Sequence, residues 1–120
     1  MDVLRHRGPD DQGRTSLMVA GKRIHLVHHR LSILDLSEAG HQPMVSADGD
    51  FILLFNGEIY NHLELRDQYF PGEGWRGHSD TETLLRLLMR RGMEAVNLLN
   101  GDFAFLFLDI PSARLYLCRD

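Results

Sequence analysis

At 120 residues, 43% hydrophobic and 25% charged, the chain is long enough for one small domain with a single core and has an ordinary globular composition. A formal charge of −4 (13 Lys+Arg against 17 Asp+Glu) disfavours a nucleic-acid footprint, which needs a basic face to neutralise phosphates. The single cysteine excludes an intrachain disulfide, no apolar run approaches the ~20 residues of a membrane span, and Met1–Arg7 lacks a signal-peptide apolar core, so a cytoplasmic chain without nucleic-acid or membrane partners is expected.

In chain order, residues 15–20 and 23–29 read as two strands, with Gly21-Lys22 as a two-residue hairpin turn. Residues 31–49 read mostly as loop, ending in a turn at Asp48-Gly49. The apolar run 51–55 has strand length, suggests cover on both faces, and stops at Asn56-Gly57. Asn61 and Glu64 have capping-box spacing, predicting a helix over 62–69. Pro71, Gly72, Gly74 and Gly77 mark a loop. Ser79 and Glu82 repeat the capping pattern before a helix from Thr81 to Arg91, with Leu84, Leu85, Leu88 and Met89 at helical spacing and Gly92 as its C-cap. A short helix over 93–99, a doubly buried strand over 103–108, a turn at Pro111-Ser112-Ala113 and a last strand over 115–118 complete the chain. Strands, then helices, then strands predict an α+β fold of sheets covered by helices. The opening in a polar motif and the close inside a strand pattern suggest that both ends are internal to a longer domain.

Several residues carry candidate chemistry, each beside a plainer reading. Asn56-Gly57 after a buried strand offers an amide and a bare backbone N–H that would suit an oxyanion hole, or is simply a turn. Arg30, at a strand end, has the fork to clamp a carboxylate, or is a surface arginine. Asp80 in the first turn of the clearest helix would hold an ammonium group, or only complement the helix dipole. Arg7-Gly8-Pro9-Asp10-Asp11 would stiffen a pocket edge, or is a Gly-Pro turn. The histidines (His25, His28, His29, His41, His62 and His78) lack metal-ligand spacing and an accompanying cysteine cluster, so no metal site is expected. Gly72, Gly74 and Gly77 follow no strand and make a poor phosphate loop. Cys118 lies in a strand pattern and reads as a small apolar residue rather than a nucleophile.

Six blocks taken in order resemble the glutamine amidotransferase domain of asparagine synthetase over essentially the whole chain. They are His6-Arg7-Gly8-Pro9-Asp10-Asp11, His29-Arg30-Leu31-Ser32-Ile33-Leu34-Asp35, Gly40-His41-Gln42-Pro43-Met44, Phe55-Asn56-Gly57-Glu58-Ile59-Tyr60-Asn61, Ser79-Asp80-Thr81-Glu82 and Asn100-Gly101-Asp102-Phe103-Ala104-Phe105. The resemblance implies a four-layer αββα N-terminal nucleophile hydrolase sandwich, here incomplete. It implies L-glutamine as ligand, hydrolysed to glutamate and ammonia for an ATP-dependent synthetase domain that amidates aspartate. By resemblance Arg30 holds the α-carboxylate, Ile33 and Leu34 supply backbone contacts and walls, Asn56 and Gly57 form the oxyanion hole, and Glu58 and Asp80 hold the polar end, Asp80 facing the α-ammonium.

The family's nucleophile is an N-terminal cysteine whose α-amino group is the general base. Met1 is followed here by Asp2, so that nucleophile is lacking. The chain is therefore expected to be a partial class II domain over residues 1–120, without its first strand, its C-terminal part or the synthetase domain, and inactive alone. No cofactor is expected in this chain; Mg-ATP belongs to the missing synthetase domain, and a homodimer to the full-length protein. Asp102 replaces a commoner apolar residue. Two further readings are a non-catalytic remnant that binds glutamine or a protein, and an amidotransferase fragment of a related amide- or lactam-forming synthetase.

Overall fold

The computed structural model describes residues 11–30 and 41–120, with side chains placed for 14–28 and 41–120. Strands β1 (Asp11–Val19) and β2 (Lys22–Arg30) form an antiparallel hairpin in which Val19 faces Lys22. The turn is therefore Ala20-Gly21, one residue earlier than the sequence suggests. Both turn residues have positive φ, 51° and 78°. That arrangement matches the right-handed twist of the strands, and the strand register outweighs the preference for glycine in first place.

A second antiparallel sheet has the order β3 (Met44–Val45), β4 (Phe51–Ile59), β5 (Gly101–Asp109), β6 (Arg114–Arg119). The two-residue β3 falls inside the segment expected to be loop; two residues give no periodicity to read. Ser46 and Asp48 close the turn into β4: the Ser46 hydroxyl accepts from Phe51 N–H at 3.1 Å, and Asp48 Oδ1 accepts from Asp50 N–H at 2.9 Å. The Ser46 hydroxyl also donates to Asp48 Oδ1, and that bond, followed by the one from Asp50 N–H, lowers the Asp48 carboxyl pKa.

The two-residue period of β4 and β5 divides the core. Leu53, Phe55, Ile59, Phe103, Phe105 and Phe107 face the helices, where Leu84, Leu85, Leu87 and Leu88 are buried. Ile52 and Leu108 face the hairpin and pack with Val19 and Leu26. Among the described residues the layers are thus helices, four-stranded sheet and hairpin, and the expected burial of both strand faces is observed.

Helix α1 (His62–Tyr69) has the expected bounds, but not the expected cap. Asn61 instead accepts from Asn100 N–H at 2.9 Å and donates to Leu98 O at 2.9 Å, fastening the start of α1 to the approach to β5. Helix α2 (Asp80–Arg91) begins one residue earlier than expected, and Ser79 Oγ caps it by accepting from Thr81 N–H at 3.0 Å. Gly92, with φ 67°, donates its N–H to Leu88 O as the C-cap, and a 3-10 helix (Gly92–Leu98) leads into β5.

Candidate glutamine site

The Asn56-Gly57 pair is not a turn. β4 runs through it to Ile59, with Asn56 opposite Ala104, Gly57 opposite Phe103 and Glu58 opposite Asp102. This corrects the expectation that the strand stops at the apolar run. A strand needs its ladder, not apolar side chains, and β5 supplies the ladder to the end. Gly57 has φ 128°, and a Cβ there would lie 2.1 Å from the Asp102 carbonyl oxygen and 2.6 Å from Phe103 Cα. Gly101 meets β4 in the same way, with a virtual Cβ 2.0 Å from Glu58 O. Two glycines thus let the paired backbones touch at this end of the sheet.

Asn56 is exposed and Glu58 half-buried, both on the face of β4 that, further back, carries Ile52 and packs on the hairpin. β2 comes to this end as well. His28 Nε2 lies 2.9 Å from the Phe55 carbonyl, and position 30, paired with Asp11, falls on the same face of β2 as Leu26 and His28. Ile33 and Leu34 lie outside the described residues, as do residues 6–10 of the first block.

Asp80 arrives from the opposite layer. As the first residue of α2 it is 6% exposed, and its Oδ2 accepts from Ile59 N–H at 2.9 Å. Burial raises its pKa, against the lowering effect of N–H bonds from Ile59 and Thr81, while the nearby Glu58 charge adds to the rise. The structure thus ties Asp80 to the end of β4 at Ile59, next in the chain to Glu58, whose charge it feels.

What holds Asp80 there was not read from the sequence. Arg66 of α1 is buried and donates to Thr83 Oγ1 (2.7 Å), Gly77 O (2.9 Å) and Ser79 O (2.8 Å), with its guanidinium 3.9 Å above the Trp75 ring. Glu82, the partner expected for a capping box, turns away instead. It accepts from Arg76 N–H at 3.1 Å and Gly77 N–H at 3.2 Å and pairs with Arg86 at 3.0 Å. The loop before α2 is thus held by two charged side chains from the helices. A lone Arg in a polar helix carries no periodic signal, so its burial was not legible.

His62 lies beside this network, 3.2 Å from Thr83 Oγ1. Burial, reinforced by Arg66 and His78, lowers its pKa from 6.5 to about 4. Between these values the unfolded chain binds a proton that the folded chain refuses, so stability falls as pH drops through 6.5 towards 4. Thermal melts of wild type and His62→Gln should show this: the wild type loses stability more steeply across that window. Parallel pH profiles would contradict the assignment.

Asp102, directly across from Glu58, accepts from the Tyr60 hydroxyl at 2.6 Å. The bond gives the substitution a local partner, and it raises the Tyr60 pKa, with Glu58 and Asp120 adding charge. Cys118 sits in β6, partly buried against the helical-side core, its Sγ 3.9 Å from Arg119 O. Among the described residues no group of three or more His, Cys, Asp and Glu side chains is placed to hold a metal ion, and no helix is long and apolar enough to cross a membrane.

The family described as Glutamine amidotransferase domain matches residues 1–120. Asparagine synthetase B (glutamine-hydrolyzing) of Escherichia coli is 38% identical over 118 residues, covering 98% of this chain and 20% of that protein. The amidase chyE of Penicillium rubens is 37% identical over 120 residues, covering all of this chain and 17% of its own length. The chain thus spans about a fifth of the curated relatives it matches. The glutamine phosphoribosylpyrophosphate amidotransferase of B. subtilis superposes with a TM-score of 0.75 at 21% identity, covering 99% of this chain and 33% of that one, which shows the class II amidotransferase fold. Matched over its whole length, the chain belongs to the glutamine amidotransferase domain family.

Proposed function

We propose that this chain carries the glutamine cradle of a glutaminase domain that serves an asparagine synthetase. The observation that supports the reading is the 2.9 Å bond from Ile59 N–H to Asp80 Oδ2, which ties a buried carboxylate to the residue that follows Asn56-Gly57-Glu58. In this reading Glu58 and Asp80 hold the polar end of L-glutamine, Asp80 facing its α-ammonium, and Arg30 takes the α-carboxylate with Ile33 and Leu34 along the chain. The Asn56 amide and the Gly57 N–H stabilise the oxyanion of a tetrahedral intermediate. The attacking thiolate comes from an N-terminal cysteine, which these 120 residues do not include. Ammonia passes to a synthetase domain in the full-length protein, where Mg-ATP activates the acceptor. That protein works in the cytoplasm, as a homodimer.

The test is ammonia release from L-glutamine. The purified chain should release none above the protein-free rate, and Cys118→Ala should behave identically. Turnover that disappears in Cys118→Ala would make Cys118 a nucleophile and overturn this reading. A second reading is an amidotransferase fragment of a related amide- or lactam-forming synthetase, since the 37% match to the amidase chyE over the whole chain extends the likeness beyond the asparagine synthetases.

A further inference from the structure

Phe55, immediately before the candidate oxyanion hole, is a junction of three segments. β3 pairs with β4 only through Met44–Leu53 and Val45–Ile52, so at Phe55 the neighbouring strand has ended. The side chain of Gln42 takes its place. Gln42 Oε1 accepts from Phe55 N–H at 2.5 Å, and Gln42 Nε2 donates to the Phe55 carbonyl at 2.9 Å, as a paired strand would. The same carbonyl meets His28 Nε2 at 2.9 Å; a carbonyl only accepts, so Nε2 carries the proton. Gln42 Nε2 also lies 3.5 Å from Thr81 Oγ1. Gln42 and His28 are 1% and 4% exposed.

Each partner is a near neighbour of a residue in the proposed cradle. His28 lies two residues before Arg30, Phe55 one before Asn56, and Thr81 one after Asp80. The Phe55 carbonyl and the Asn56 N–H belong to one planar peptide, so two donors on that oxygen fix the plane from which Asn56 departs. We infer that Gln42 and His28 are positioning residues of the glutamine site, aligning Asn56 and Gly57 with the side-chain carbonyl of the ligand. The inference rests on the function proposed above.

The experiment compares two ligands, L-glutamine and L-norvaline, which share the α-amino-acid end but differ in the carboxamide. Calorimetric affinities are measured for wild type, Gln42→Met and Gln42→Glu. Gln42→Met should weaken glutamine about tenfold relative to norvaline, because only the carboxamide meets the misaligned donors. Gln42→Glu is isosteric: ionised, it still accepts from Phe55 N–H but opposes the Phe55 carbonyl. Protonated, the introduced carboxyl donates to that carbonyl again. Its glutamine deficit relative to wild type should therefore shrink between about pH 8 and about pH 5.5, since burial raises a carboxyl pKa. His28, His41 and Asp80, the titratable groups beside the junction, are common to both proteins, and norvaline measured at each pH reports their effect on the amino-acid end. A merely structural role would weaken both ligands equally and leave the Gln42→Glu deficit independent of pH; either result overturns the inference. If Gln42→Met does not fold, the Gln42→Glu comparison decides alone. A wild type that binds no glutamine contradicts the proposed function and this inference with it, whereas variants that match a glutamine-binding wild type contradict the inference alone.

Discussion

Gly57→Ala should destabilise the chain by about 3 kcal/mol, through overpacking against backbone and strain at positive φ. The added methyl carbon would lie 2.1 Å from Asp102 O and 2.6 Å from Phe103 Cα, and these are main-chain atoms that no rotamer change can move. Relief requires β4 and β5 to separate where Glu58 pairs with Asp102 and Ile59 with Gly101. Gly101→Ala, whose Cβ would lie 2.0 Å from Glu58 O, should cost a similar amount. Gly74→Ala serves as the control, since nothing lies within 4 Å of its Cβ position and its φ is not positive. Urea unfolding of the three variants measures the difference. If Gly57→Ala is as stable as Gly74→Ala, the strands do not approach as described.

Arg66→Met should also cost about 3 kcal/mol, the range for breaking a buried charged network. Methionine keeps the apolar stem of the side chain but leaves Gly77 O, Ser79 O and Thr83 Oγ1 without the donors they now have at 2.9, 2.8 and 2.7 Å. It also removes one of the two guanidinium groups over Trp75, leaving Arg86 at 4.1 Å, so the fluorescence of the one tryptophan of the chain reports the same site. Arg66→Lys should recover little of the loss, because one ammonium cannot span three diverging acceptors. Both variants should loosen the N-terminus of α2 and with it Asp80. A loss below about 1 kcal/mol for Arg66→Met would mean that the loop before α2 is held by other contacts.

Most elements were legible because each has a local cause. Leu84, Leu85 and Leu88 repeat at helical spacing, Ser79 and Gly92 cap the helix they bound, and Phe103, Phe105 and Phe107 alternate onto one face of β5. These misreadings share a physical reason as well: each group takes a partner other than the one its local spacing suggests. Asn56-Gly57 has the composition of a turn, yet β5, some 45 residues later, pairs with it as strand. Asn61 has the spacing of a cap, yet its amide bonds Leu98 and Asn100. Glu82 has the spacing of a capping box, yet it serves Arg76, Gly77 and Arg86. The candidate site shows the same division. Asn56, Gly57 and Asp80 stand out by the chemistry they can do, and Glu58 by the order of the blocks that contain them. Their neighbours Gln42, His28 and Arg66 act through buried bonds to distant backbone, which no local pattern announces.

In the proposed site two sheets and a helix terminus converge on one amino-acid ligand. The most direct measurement of this convergence is a calorimetric titration of L-glutamine into the wild-type chain and into Arg30→Ala, with thermal melts to establish that both are folded. A binding heat in the wild type that vanishes in the equally stable Arg30→Ala is the predicted result. No heat in the wild type, or the same heat in both, would contradict the account.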